Sequence, residues 1–119
     1  MNSAQFVLVR HQLKTWIPEQ TFPRPEDLVM GAVNNTRALY ETLEYPNDYN
    51  AVVDTVNLWR NLQAELYLMR QVCKRKWYHI FHYPSSLQYA YDEFSKAIAI
   101  CELQVHMNKV ELDKVRKSM

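Results

Sequence analysis

The chain has 119 residues, of which 48% are hydrophobic, and its formal net charge is +1. This composition predicts a single folded domain over residues 1–119 and excludes a disordered tail, while the near-neutral charge gives no whole-chain argument for a nucleic-acid or acidic partner. Gly31 is the single glycine, and a chain with so few positions for tight hairpin turns or phosphate loops is expected to be all-α rather than a β-sheet or glycine-rich nucleotide fold.

Five prolines divide the chain into four segments with helical apolar periodicity: Pro18, Pro23, Pro25, Pro46 and Pro84. Because helices usually end at or before the residue that precedes a proline, each segment predicts one helix. The first predicted helix runs from about Ser3 to Trp16, although residues 6–10 also fit a short strand. The second begins at Pro25 and continues to about Leu43.

The third and fourth predicted helices are the longest. The third begins near Asn47 or Asn50 and continues to about His82, and the fourth runs from Ser85 to about Lys117. Only a short turn separates them, and a short turn makes two helices antiparallel neighbours. The sequence therefore predicts a four-helix bundle-like domain that is dominated by a long antiparallel helical hairpin.

The fourth predicted helix carries apolar residues on two sides. One side has the four-three spacing of a coiled-coil seam with one polar member: Leu87, Tyr91, Phe94, Ile98, Cys101, Val105, Asn108, Leu112 and Val115. A second stripe lies on the opposite side: Ile100, Leu103, Met107 and Val110. Since few other helices are available to cover both sides, we predict a homo-oligomer, most simply a dimer, with these residues at its interface: Ile98, Ile100, Leu103, Val105, Met107, Asn108, Val110 and Leu112.

Asn108, the polar member of the seam, fits two interpretations. An amide in an apolar seam costs stability unless it meets another polar group, and in coiled coils such residues fix the register and the oligomer number. In the second interpretation the helix leaves the core at this point, because the turns that follow are highly charged. Both interpretations stay open at the level of the sequence.

A basic and aromatic face lies on the third predicted helix, roughly opposite its apolar stripe. Its members are Arg60, Tyr67, Arg70, Lys74, Arg75, Tyr78 and His82. Cationic side chains suit phosphates and exposed tyrosines stack on bases, so this face predicts nucleic-acid binding as an alternative function. The other interpretations are an ordinary solvated face and contact with the acidic segment 41–54, within the fold or on another subunit.

Arg75 and His82 are the nearest approach to a catalytic motif. Six residues separate them, a spacing that resembles the Arg-x4-6-His motif of the helical HEPN ribonucleases. The resemblance implies an arginine that stabilises phosphate charge and a histidine that moves a proton during RNA cleavage. Nothing else in the sequence matches that family's signature, so a metal-independent ribonuclease ranks third among the functions considered.

No cofactor or metal site is expected from the sequence. His79 and His82 supply only half of a zinc site, and no second Cys/His pair has suitable spacing. Cys73 and Cys101 lie on apolar stripes, which favours buried free thiols in a reducing compartment over a disulfide. No apolar run approaches the ~20 residues of a membrane span. We therefore expect a cytoplasmic protein without membrane association.

The residues together predict an interaction or assembly module rather than an enzyme. The expected partner is a protein, most simply a second copy of this chain. An oligomeric accessory role fits the small size and the lack of a catalytic motif. Nucleic-acid binding through residues 60–82 is the alternative.

Overall fold

The computed structural model describes residues 3–19, 24–42, 49–74, 82–83 and 85–118. Four helices make up most of these ranges: α1 (Ser3–Glu19), α2 (Pro25–Thr42), α3 (Tyr49–Cys73) and α4 (Ser85–Ser118). No strand occurs in the described ranges. The all-α prediction is therefore confirmed, and the alternative of a strand at residues 6–10 is wrong.

α1 is longer than its apolar pattern predicts. It continues past Trp16 to Glu19 and so includes Pro18. Proline removes one intrahelical hydrogen bond, but its fixed φ of about −65° is compatible with helical backbone, so a helix can close on it near its end.

α2 begins at Pro25, as the sequence predicts, because the missing N–H of proline would have no intrahelical partner at this position in any case. The Leu28 N–H donates to Arg24 O over 3.0 Å and closes the first turn. Gly31 does not interrupt the helix, and the Thr36 hydroxyl donates to the carbonyl one turn earlier at 2.8 Å. α2 thus forms one continuous rod along the bundle.

α3 ends at Cys73, so the prediction that this helix continues to about His82 is wrong. Lys74 lies in a bend, and His82 and Tyr83 are not helical. The Tyr83 hydroxyl donates to Cys73 O and thereby supplies a terminal carbonyl of α3 with a partner. The apolar pattern that indicated a longer helix falls on residues 75–81, outside the described part of the chain.

An apolar core shared by all four helices holds the molecule together. Its fully buried members include Leu13 of α1, Val29 and Val33 of α2, Trp59, Leu62 and Leu66 of α3, and Phe94, Ala97 and Cys101 of α4. Burial of a large apolar side chain stabilises a fold by ~1.5–3 kcal/mol. Packing of these faces, rather than helix propensity, therefore supplies most of the stability.

Polar contacts show how α3 and α4 meet along their lengths. At one end of the pair Arg116 donates to the Tyr49 hydroxyl over 3.4 Å. Farther along, the Gln63 side-chain amide donates to Ile98 O at 3.4 Å. The beginning of α3 thus lies beside the end of α4, and this pair makes the most extensive helix contact in the described structure.

α2 packs on a different flank of α4, and α1 packs on α2 and α3. The α2–α4 contact includes Lys96, whose ammonium lies 4.0 Å from a Glu26 carboxylate oxygen. α1 is tied to α3 by the ion pair of Arg10 with Glu65 at 3.0 Å. The radius of gyration is 16.4 Å, larger than the ~13.5 Å of a compact domain of this length. The elongated form leaves long flanks of the helices in contact with solvent.

Candidate interaction surface

The seam of α4 is used inside the chain. Ile98 and Val115 are only 4% and 3% exposed, and Phe94 and Cys101 are fully buried. Val105 and Leu112 are half-buried at the edge of the same face. The structure therefore commits this seam to contacts with the neighbouring helices.

The second stripe of α4 faces solvent. Leu103, Met107 and Val110 are 55%, 46% and 43% exposed, whereas Ile100 is half-buried and packs against the core. Soluble proteins tolerate isolated exposed apolar residues, but a contiguous row of them marks an interaction surface. We call these four residues the α4 stripe.

The α4 stripe borders the groove between α2 and α4. Arg37 of α2 and Met107 of α4 line one cavity. Met30 lies on the same face of α2 as Arg37, seven residues earlier, and is 37% exposed. Charged pairs stand at both ends, with Lys96 bound to Glu93 at 3.2 Å before the stripe and Lys114 close to Glu111 at 3.9 Å after it. An uncharged strip of α4 thus lies between two charged ends.

Asn108 is buried beside this groove, with 9% exposure. Its amide nitrogen donates to Gln104 O, one turn earlier, at 2.7 Å. The amide therefore finds a polar partner within its own helix. Asn108 is therefore buried and hydrogen-bonded, as the first interpretation requires. The second interpretation is wrong, because the helix has not left the core at this residue.

A cavity of about 250 Å³ opens next to Asn108, where α2, α3 and α4 meet. We call it the polar cavity, and its described lining is Thr36, Arg37, Val52, Gln104, Met107, Asn108 and Glu111. Sequence analysis missed it, because its walls come from three helices. The only local signal was the presence of two polar residues, Thr36 and Gln104, at helix positions next to apolar ones.

A second feature that the sequence pattern did not reveal is the buried Glu93. Its side chain is 2% exposed, and its two oxygens lie 3.2 Å from Lys96 and 3.8 Å from Arg24. The pKa of Lys96 is raised, first by its hydrogen bond to Glu93. The pKa of Arg24 is raised first by its hydrogen bond to Asp27, with a smaller contribution from Glu93. This cluster joins the beginning of α2 to α4.

Arg70, a predicted nucleic-acid ligand, is half-buried and bound by neighbouring side chains. Its guanidinium carbon lies 5.1 Å from the centre of the Tyr67 ring and 5.2 Å from that of Tyr91. It also donates to Ser95 Oγ over 3.1 Å. A cation between two aromatic rings, bonded to a hydroxyl, links α3 to α4. Arg70 therefore acts as a cross-link in this structure.

The other described members of the basic and aromatic face are not held by contacts like those of Arg70. Arg60 and Lys74 are exposed and make no ion pair with another described residue, and His82 is exposed outside any helix. Arg75 and Tyr78 lie outside the described residues. The single-helix arrangement assumed for Arg75 and His82 is wrong, because His82 is not part of a helix.

Both cysteines are buried free thiols, as the sequence predicts. Burial raises the pKa of Cys73, and it raises the pKa of Cys101 to about 12. A thiol with such a pKa stays protonated near neutral pH and is a poor nucleophile. Burial therefore shifts both cysteines away from the reactive thiolate form.

Comparisons with known proteins identify no relative of this chain. No family model, no curated protein and no solved structure matches it. Within the described residues no three His, Cys, Asp or Glu side chains converge on a metal position. No helix of the described structure is both long enough and apolar enough to cross a membrane.

Proposed function

We propose that this protein is a non-enzymatic helical interaction module that associates with a second copy of itself, in an oligomeric accessory role. The observation that carries the proposal is the exposure of Leu103, Met107 and Val110 in one row. The seam of α4 is already occupied within the chain. Of the two apolar sides of α4, the α4 stripe is therefore the one that is free to meet a partner.

The spacing of the α4 stripe favours a helix as the partner. Steps of three, four and three residues are those of a coiled-coil seam, which packs against another helix of the same pattern. A copy of this chain offers that pattern, and a two-fold dimer buries the same row on both subunits. We infer that an antiparallel α3–α4 hairpin presents the row, supported by the contacts of Tyr49 with Arg116 and of Gln63 with Ile98.

The size of the α4 stripe sets the expected affinity. Val110 lies ten positions after Ile100, which corresponds to ~15 Å of helix. A stable interface buries ~800 Å² on each partner, more than three or four side chains supply. We therefore expect a weak dimer in rapid exchange, with Met30 and the α2–α4 groove at its edge.

The test is the solution mass as a function of protein concentration, measured by analytical ultracentrifugation. Wild type should approach twice its 14.2 kDa monomer mass at high micromolar concentration. Leu103→Glu should keep the monomer mass, because a charge at the centre of the row is desolvated on association. The matched control is Leu68→Glu, since Leu68 of α3 is 67% exposed outside the stripe. A wild type that stays monomeric, or equal effects of both variants, contradicts the proposal.

Nucleic-acid binding stays the alternative proposal, with a smaller set of residues. The exposure of Arg60 and Lys74 supports it. Arg70 contributes less than the sequence suggests, because the contacts with Tyr67, Tyr91 and Ser95 already engage its guanidinium. Two exposed cations are ordinary for a helix surface, so the interaction module is the better supported proposal.

A further inference from the structure

The polar cavity contains polar groups that the fold leaves without partners. Gln104 is 92% buried, at 8% exposure, yet its side-chain amide makes no hydrogen bond with any described residue. Asn108 uses its amide nitrogen on Gln104 O, which leaves its own amide oxygen available. Neither amide belongs to the fully buried polar atoms of the described structure that lack a hydrogen-bond partner, so both keep some contact with the cavity. A ligand that enters the cavity can therefore reach them and form hydrogen bonds.

Two opposite charges stand at the same cavity. Arg37 is exposed and has no ion pair or hydrogen bond with the rest of the described chain, so its guanidinium is free to bind a carboxylate in a bidentate manner. Glu111 lines the cavity too, and its carboxylate accepts hydrogen bonds from an ammonium group. Glu111 also lies 3.9 Å from Lys114, but both side chains are largely exposed. An exposed ion pair of this kind is weak, so Lys114 competes little with a bound ammonium group.

The apolar part of the lining comes from Val52 and Met107. The volume of about 250 Å³ is far above the ~10–15 Å³ that one water needs. It is below the ~300–1,000 Å³ of sites for drug-sized ligands. The cavity therefore suits a molecule of metabolite size with an apolar portion.

We propose that the polar cavity is a binding site for a free α-amino acid. The carboxylate of the amino acid binds Arg37, and its ammonium group binds Glu111. The Gln104 and Asn108 amides form hydrogen bonds with those same two groups or with a polar side chain of the amino acid. The side chain of the amino acid packs on Val52 and Met107. This site does not depend on self-association, although Met107 belongs to both surfaces.

The test is a titration of the isotope-labelled 119-residue chain with glycine, L-alanine, L-leucine and L-glutamine, followed through the side-chain amide signals of Gln104 and Asn108. At least one amino acid should shift both signals in a saturable manner at millimolar concentration. For that amino acid, the analogue without the ammonium group and the analogue without the carboxylate should each bind at least about tenfold more weakly. If none of the four shifts the signals, the cavity holds water only and the proposal is wrong.

Two variants separate binding from folding. Gln104→Leu removes the unpartnered amide and should fold at least as well as wild type, yet bind the amino acid at least about tenfold more weakly. Arg37→Gln should weaken binding to a similar degree, whereas Arg60→Gln, an exposed arginine outside the cavity, should not. Equal affinity of wild type and Arg37→Gln overturns the proposal.

The same titration in Leu103→Glu, which should be monomeric, distinguishes this proposal from self-association. Amino-acid binding there should be at least as tight as in wild type, because a dimer no longer covers Met107. If the Gln104 and Asn108 signals respond only to protein concentration, the cavity receives a side chain of the second copy instead, and the amino-acid proposal fails while the dimer stands.

Discussion

Replacing Arg70 by methionine tests whether this arginine serves the fold. Methionine keeps most of the apolar stem and deletes the guanidinium. The change removes two cation–π contacts, with Tyr67 and Tyr91, and the hydrogen bond to Ser95. Ser95 keeps a partner after the change, since its hydroxyl also donates to Tyr91 O at 2.9 Å. The variant therefore creates no new unpaired hydroxyl.

The magnitude follows from these contacts. Each cation–π contact at a partly exposed site contributes ~0.5–1 kcal/mol, and a hydrogen bond from a charged donor ~1.5–3 kcal/mol. Against this, the Nε of Arg70 is buried without a partner, and deleting it relieves ~1–3 kcal/mol. The free energy of unfolding should fall by about 2 kcal/mol. For 119 residues, that is a drop in Tm of roughly 8 °C.

The assay is thermal and urea unfolding followed by circular dichroism, at one protein concentration because association would shift Tm. Arg60→Met is the matched control, since Arg60 lies on the same helix, is exposed and makes no ion pair with a described residue. The control should lie within ~0.5 kcal/mol of wild type. Equal stability of Arg70→Met and Arg60→Met would refute the cross-link. Arg70 would then be as available for nucleic-acid binding as Arg60.

Two further predictions concern single residues inside helices. Gly31→Ala should raise the free energy of unfolding by ~0.5–1 kcal/mol, because nothing lies within 4 Å of an added Cβ and alanine has the better helix propensity; an unchanged or lower Tm contradicts this. Cys101 has a folded pKa raised by burial from 9.0 to about 12. Its contribution to stability should therefore be constant below pH 9.0 and fall by roughly 1 kcal/mol per pH unit above it. Cys101→Ala should lack that fall in urea titrations, and equal alkaline slopes for both proteins would count against it.

The sequence was sufficient to predict the helices wherever a local signal sets them. Pro25 and Ser85 begin α2 and α4 because a proline and a residue just after a proline are strong local start signals. The end of α3 was not predictable in this way. Cys73 becomes the last helical residue where Tyr83, ten residues later, binds its carbonyl. A contact between residues ten positions apart produces no periodic pattern of apolar residues in the sequence.

The candidate surfaces also differ in whether a local sequence pattern could predict them. The α4 stripe could be read from spacing, since a period of three and four residues places side chains on one face of a helix. Which of the two faces stays exposed depends on where α2 and α3 pack, and so required the structure. The polar cavity and the Glu93 cluster join residues more than sixty positions apart. One sequence contains no record of such long-range juxtapositions.

The two-sided character of α4 has an evolutionary consequence. Residues such as Phe94 and Cys101 are constrained by the fold, because any change of volume in a packed core is destabilising. Leu103 and Val110 are exposed on the surface of the chain, so substitutions there cost less folding free energy than substitutions in the core. Selection can therefore alter what the molecule associates with while the scaffold persists. A single helix thus carries one side that the fold constrains and one side that it does not, and a substitution on the second side can change association without unfolding the scaffold.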